Sequence, residues 1–280
     1  MASAREALKR LPDAVAPHFI VDGFSFQRPD LTAYFLTHYH GDHTVGLNAS
    51  FCAGTIYCSQ ITANLVIAVG LVDAKRVVAL ALDETSLVDG VEVTPFDANH
   101  CPGAVCLHFR NPRTGATALH TGDFRAERCV CESPTLARLL AAGPVDTLFL
   151  DTTYCAPRWR FPAQAAVLAS LRDLARAELA REPLTLFLIG SYEIGKERAV
   201  FALASALGSP VDVSDARARK LRLCGWWRDG WVVTGEAAEG RAGARGGAAG
   251  SASAAEPAAL AAADLACLLY TSPSPRDGLL

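Results

Sequence analysis

Thr37-His38-Tyr39-His40-Gly41-Asp42-His43 gathers three histidines and one aspartate into six consecutive residues, in a chain of 280 residues with only seven histidines. Imidazole and carboxylate are the ligands zinc takes at about 2.0–2.2 Å. The apolar run Ala33-Tyr34-Phe35-Leu36 just before them reads as a buried strand, and a strand that ends in a loop can aim alternate side chains at one point. His38 and His40, two residues apart, face the same way. A solvated polar turn needs no such concentration of a scarce residue, so this turn is read as a metal centre.

Three other stretches carry compatible chemistry: Ile20-Val21-Asp22-Gly23-Phe24, Asp97-Ala98-Asn99-His100-Cys101-Pro102-Gly103-Ala104-Val105 and Leu119-His120-Thr121-Gly122-Asp123-Phe124-Arg125. With the H-x-H-x-D-H turn, they resemble in order the four motifs of the metallo-β-lactamase superfamily, a combination far more specific than any one motif. The resemblance implies a first cation held by His38, His40, His100 and Asp123. It implies a second held by Asp42, His43 and Asp123, the last bridging both. Asp22 then orients a ligand from behind without binding metal, and His120 supports the fourth motif in the same way.

The residues around the ligands point to one branch. Ala98-Asn99-His100-Cys101-Pro102-Gly103-Ala104, Thr121-Gly122-Asp123-Phe124-Arg125-Ala126 and Leu150-Asp151-Thr152-Thr153-Tyr154-Cys155 resemble the DNA cross-link repair nucleases of the β-CASP group, the Artemis, Apollo and Pso2 kind. Asp151 matches the carboxylate that opens their β-CASP cap, and with Asp22 and His120 it is expected to support the ligands from behind. The implied fold is α/β, an incomplete αββα metallo-β-lactamase sandwich followed by the start of a cap. The implied activity is a zinc-dependent 5′-to-3′ exodeoxyribonuclease in interstrand cross-link and double-strand break repair. It would act in the nucleus on damaged or 5′-phosphorylated DNA, with one or two divalent ions and with protein partners that the resemblance does not name. Asp42 and His43 are its catalytic candidates, Asp42 holding the second cation and the water. Two cations roughly 3.5–4 Å apart suit an anionic phosphodiester, because they can clamp both the attacking and the leaving oxygen. The nuclease-like amino-terminal domain of a plant-type DNA ligase and an RNA-processing β-CASP nuclease remain alternatives. The 151–154 segment argues against a small-molecule hydrolase, and the intact ligand set argues against a metal-free scaffold.

Hydrophobic residues make up 51% of the chain, enough for a sizeable core. The nine cysteines are odd in number and form no C-x-x-C pair, so they read as thiols in a reducing compartment, nucleus or cytosol. No secretory core or apolar span of about 18 residues occurs. A net charge of −3 excludes a uniformly basic nucleic-acid-binding surface. Local basic runs exist: Arg158 and Arg160 flank Trp159, and Arg217, Arg219, Lys220 and Arg222 lie near Trp226 and Trp227. Such runs are either solvated faces or a track for a nucleic-acid strand with stacking partners.

The elements needed to position these residues are legible as strands at 32–36, 55–58, 91–96, 105–109, 116–119 and 147–150. Helices are expected at 59–69, with Ser59 as N-cap, and at 163–181. Two mixed sheets packed face to face follow from this. His108, inside a strand pattern, reads as a sheet residue. Gly190-Ser191-Tyr192-Glu193-Ile194-Gly195-Lys196-Glu197 fits most of the phosphate-loop pattern but ends in a carboxylate where a hydroxyl is required. It lies between an expected strand at 184–189 and a helix at 196–207 stopped by Gly208. Ser191, Tyr192 and Lys196 are therefore either phosphate contacts or parts of a plain structural loop.

The expected organisation is a metallo-β-lactamase domain over 18–155, a partial β-CASP cap over 156–235, and a low-complexity tail over 236–280 that is disordered or foreign to the enzyme. No histidine follows His120, although the resemblance implies a further one from later segments. The second cation set is accordingly expected to be incomplete, the chain to be a fragment of a longer protein, and full activity to belong to that parent rather than to these 280 residues alone.

Overall fold

The computed structural model describes residues 3–234 and the backbone of 268–271. The chain divides into two compact units, Met1–Arg160 and Phe161–Leu280. The 236–267 and 272–280 portions of the expected tail lie outside the described residues.

The first unit opens with a short helix α1 (Ala4–Ala7) and then builds a parallel sheet in the order β1 (Phe19–Val21), β2 (Ala33–Phe35), β3 (Thr55–Ser59) and β4 (Val77–Leu80). The second sheet runs β5 (Ser86–Val88), β6 (Val91–Asp97), β7 (Val105–Arg110), β8 (Thr117–His120) and β9 (Thr147–Phe149). Its neighbours are antiparallel except β8 and β9, which are parallel. The expectation of two mixed sheets therefore holds only for the second. Strands β1 and β2 are buried on both faces, which suits the uniformly apolar sequences of parallel strands.

Strand periodicity sorts the side chains into layers. Phe19, Val21, Ala33 and Phe35 face Val93, Val105, Leu107, Phe109 and Ala118 in the core between the sheets. Their alternates Ile20, Tyr34, Leu36 and Ile56 turn to the other face, against Ala63 and Val66 of α2 (Gln60–Ala68). On the far side, Phe96 and Cys106 pack with Val130 of α3 (Arg128–Cys131) and with Leu136 and Leu139 of α4 (Pro134–Ala141). The result is the αββα order. Each fully buried aromatic in it contributes roughly 1.5–3 kcal/mol.

Ser59 caps α2 as expected, accepting from the Thr62 N–H at 3.3 Å, and its hydroxyl also donates to the Gly103 carbonyl at 2.6 Å. The cap thus ties α2 to the third motif. Gly103, at φ +81°, permits that approach, since a Cβ there would lie 2.9 Å from Ile61.

The second unit holds α5 (Gln164–Arg181), β10 (Phe187–Gly190), α6 (Glu197–Leu207), β11 (Val211–Val213), α7 (Asp215–Leu223), β12 (Val232–Thr234) and β13 (Leu268–Thr271). Its parallel sheet runs β10-β13-β11-β12, so four residues of the segment expected as tail pair centrally as a strand. Its core joins Ala175, Val200, Leu203 and Leu221 of the helices to Val211, Val213 and Val232 of the strands. Gly208 ends α6 in the left-handed conformation at φ 62°, as the helix-stop reading requires.

Candidate metal centre

Five strands of the first unit deliver the sequence-predicted residues at or just beyond their carboxyl ends. Asp22 follows β1, His38 to His43 follow β2, His100 follows β6, Asp123 follows β8, and Asp151 follows β9. The turns are tight. Asp22, Asn99 and Gly122 all adopt positive φ, at 50°, 54° and 54°. For a non-glycine residue this conformation is uncommon and persists where surrounding bonds over-determine it.

The donor atoms converge in two sets. His38 Nε2 lies 2.9 Å from His40 Nδ1, and His100 Nε2 lies 3.3 Å from the same atom. Asp123 Oδ2 is 4.0 Å from His38 Nε2 and 3.8 Å from His100 Nε2. Four donors around a tetrahedral zinc sit roughly 3.3–3.5 Å apart if each bond is about 2.0–2.1 Å. The separations of 2.9, 3.3, 3.8 and 4.0 Å bracket that value. In the second set His43 Nε2 lies 3.3 Å from Asp123 Oδ1 and 3.5 Å from Asp42 Oδ2. Asp123 thus offers one oxygen to each set.

Electrostatics separates the two sets. Burial first, then the neighbouring His43 and His40, push His38 down to about 2. Burial also lowers His100. Both rings are neutral near pH 7 and present lone pairs. Burial also opposes the charged form of His43, but hydrogen bonds to Asp123 and Asp22 outweigh it and raise that ring to about 10. The Asp123 carboxyl is held well below the usual carboxylate range, chiefly by its hydrogen bond to His43. His43 therefore carries a proton near pH 7, shared in its bonds to Asp123 and Asp22.

Behind the donors, Asp22 accepts from His43 Nδ1 at 2.8 Å and from the Thr37 N–H at 2.9 Å. His120 accepts from the Gly122 N–H at 3.0 Å and stacks on Phe149. The burial of its ring drives its pKa down to about 4. Asp151 reaches the fourth motif through its backbone N–H, which donates to Thr121 Oγ1 at 3.0 Å, while its carboxylate accepts from the Thr153 N–H. His108 is buried within β7, as a sheet residue.

Two residues at the centre were not singled out from sequence. Cys101 Sγ lies within 4.8 Å of the donor nitrogens of His38, His40 and His100. Thr37 is fully buried among the donors. The first had a signal, being adjacent to His100. The second had none beyond preceding the motif, because a hydroxyl becomes informative only when its neighbours are known.

In the second unit, the Ser191 hydroxyl donates to the Gly195 carbonyl at 2.8 Å, and Lys196 donates to the Gly190 carbonyl at 2.9 Å. The Lys196 ammonium also sits 5.7 Å over the exposed Tyr192 ring. Glu197 accepts from the Gly195 N–H at 2.8 Å, so the helix-start carboxylate takes a position that an anion would need. The basic run is partly consumed within the fold. Arg217 is buried and donates to the Tyr192 and Glu193 carbonyls, Lys220 pairs with Glu193, and Arg222 stacks 3.7 Å over Trp227.

Residues 13–188 match the family model described as a β-lactamase superfamily domain. A DNA cross-link repair protein, SNM1, of Arabidopsis thaliana is 41% identical over 78% of this chain and 44% of its own length. The 5′ exonuclease Apollo of Gallus gallus is 35% identical over 68% of this chain and 39% of its own. A solved protein of unknown function from Enterococcus faecalis shares the fold with TM-score 0.53 at 16% identity, covering 88% of this chain and 59% of that one. The chain therefore spans less than half the length of either of these two relatives. With its histidine and aspartate donors gathered at the strand ends of an αββα sandwich, the chain belongs to the metallo-β-lactamase superfamily, and within it is similar to the DNA cross-link repair proteins.

Proposed function

We propose that the chain carries the hydrolytic centre of a zinc-dependent DNA nuclease, a 5′-to-3′ exodeoxyribonuclease of cross-link and double-strand break repair that works in the nucleus. The observation that carries this reading is Asp123, whose two oxygens face two donor sets. A carboxylate so placed suits a pair of divalent ions. Two bound ions would supply positive charge against the phosphoryl oxygens and lower the pKa of water at the site. By the resemblance and the donor distances, His38, His40, His100 and Asp123 are assigned to the first ion, and Asp42, His43 and Asp123 to the second.

The chain's own groups do the rest. The Asp42 side chain is 79% exposed, at the rim beside His43, where it can orient an attacking water and accept its proton. Asp22 and His120 hold the ligand turns in place, so the donors need no reorganisation when substrate arrives. The partner is DNA, and the names of the relatives support a damaged or 5′-ended strand. Within the second unit, Ser191, Tyr192 and Lys196 are read as parts of a structural loop, since Lys196 is used on the Gly190 carbonyl and Glu197 takes the position an anion would need. The 156–235 segment is read as cap.

The test is elemental analysis of the purified protein together with turnover of 5′-phosphorylated single-stranded DNA and matched RNA. In the full-length parent protein, Asp42→Asn should lower DNA cleavage by at least about 100-fold while leaving DNA affinity nearly unchanged. Near wild-type turnover in that variant, or faster cleavage of RNA than of DNA, would overturn the assignment.

A further inference from the structure

Thr37 is the residue on which the four motifs meet. Its N–H donates to Asp22 Oδ1 at 2.9 Å, and its carbonyl accepts from the Val105 N–H at 3.0 Å. These bonds join the first motif to the second and the second to the strand that follows the third. Its side chain lies where a Cβ on Gly122 would come within 2.9 Å of it, so it also touches the fourth. The hydroxyl has a single proton, and donates it to Asp22 Oδ2 at 2.7 Å.

That donation determines the rest of the chain of bonds. With its proton committed to Asp22, the Thr37 oxygen can only accept at its other contacts. His38 Nδ1 lies 3.0 Å away and must therefore carry the hydrogen. His38 is then the tautomer whose Nε2 is a bare lone pair, and Nε2 is the atom that faces His40 and Asp123. His43 Nδ1 donates to the same Asp22 oxygen at 2.8 Å, which leaves its Nε2 toward Asp42 and Asp123. One carboxylate thereby orients both imidazoles, His43 directly and His38 through the threonine hydroxyl.

We propose that Thr37 is a positioning residue for the metal centre, relaying Asp22 to His38 through its hydroxyl and setting the tautomer in which His38 can bind a cation. The inference rests on the metal-centre reading above. Valine at this position keeps the shape and removes the relay, whereas serine keeps the hydroxyl.

The test compares the wild type, Thr37→Val and Thr37→Ser for zinc affinity and for the rise in melting temperature on zinc addition. Long-range proton–nitrogen correlation spectra of the metal-free wild type report the His38 tautomer. The expected results are an Nδ1–H tautomer in the wild type, and zinc affinity lowered by roughly 10–100-fold in Thr37→Val. Thr37→Ser should stay near wild type. A purely structural role would lower the metal-free melting temperature but leave the zinc-induced rise unchanged, and that outcome overturns the proposal. So does equal loss of affinity in the serine and valine variants. An Nε2–H tautomer in the wild type overturns it even if Thr37→Val fails to fold. Absence of any zinc binding by the wild type would instead overturn the metal-centre reading itself, and with it this proposal.

Discussion

At the scale of the residue, the two donor sets differ in the protons they hold before any ion arrives. His38 and His100 are kept neutral by burial, while His43 is raised to about 10 by Asp123 and Asp22. An ion entering the first set displaces no proton from these rings. One entering the second must displace the proton on His43. Calorimetric zinc titration in buffers of different ionisation enthalpy at about pH 7 should therefore show close to zero protons released for one equivalent and about one for the other. Equal proton release at both steps would contradict the assigned partners. The same site illustrates what residue identity alone conveys. Every donor type was visible in the motif, but whether Asp123 bridges depends on the direction of its two oxygens, and no spacing in the chain specifies that direction.

At the scale of the element, the ligands are precise because they sit on short turns anchored to strands. Gly122 is a constrained point in these turns, with φ +54° and Thr37 so close that a Cβ would lie 2.9 Å from it. Gly122→Ala should lower stability by roughly 1–3 kcal/mol, through strain at positive φ added to the clash. It should also weaken zinc binding by displacing Asp123. Thermal unfolding with and without zinc checks both, and a variant matching wild type in each would show that the turn relaxes at no cost. Elements with strong local signals were legible, such as β6 and β7 with their apolar alternation and α2 with its Ser59 cap. Others were not. β1, β5, β11 and β12 are three-residue strands that do not read as strands from sequence, although β2 and β9 are as short and do, and β4 is half exposed. β13 exists as a strand only through its pairing with β10 and β11.

At the scale of the whole molecule, the buried histidines couple stability to pH. His120 falls to about 4 in the folded chain against an ordinary value of 6.5, so between those values the unfolded chain binds a proton that the folded chain refuses. Stability is lost as pH falls through that window, and His38 and His100 act in the same sense. His43 acts oppositely. Its contribution is full below 6.5 and is lost as pH rises toward about 10. Chelated protein should therefore have its highest melting temperature near pH 6.5 and lose stability on both sides. Zinc should raise the melting temperature and shift the maximum to higher pH, because the ion replaces the proton on His43. A melting temperature that is unaffected by chelation at any pH would contradict the link between the site and the fold.

The sequence by itself determined the donor chemistry, the superfamily and, β1 apart, the strands that end at the site, because each is encoded in contiguous residues: imidazoles at two-residue spacing, apolar runs before them and a cap at Ser59. The tertiary structure alone decided which atoms face one another. It turned Asp123 toward both donor sets, placed Thr37 between Asp22 and His38, brought Cys101 near the three histidines, and directed Arg217 and Lys220 to Tyr192 and Glu193 within the fold. Those outcomes depend on residues separated by up to about a hundred positions, whose orientations are set by the packing of one sheet on the other and by hydrogen bonds that only the folded chain can form.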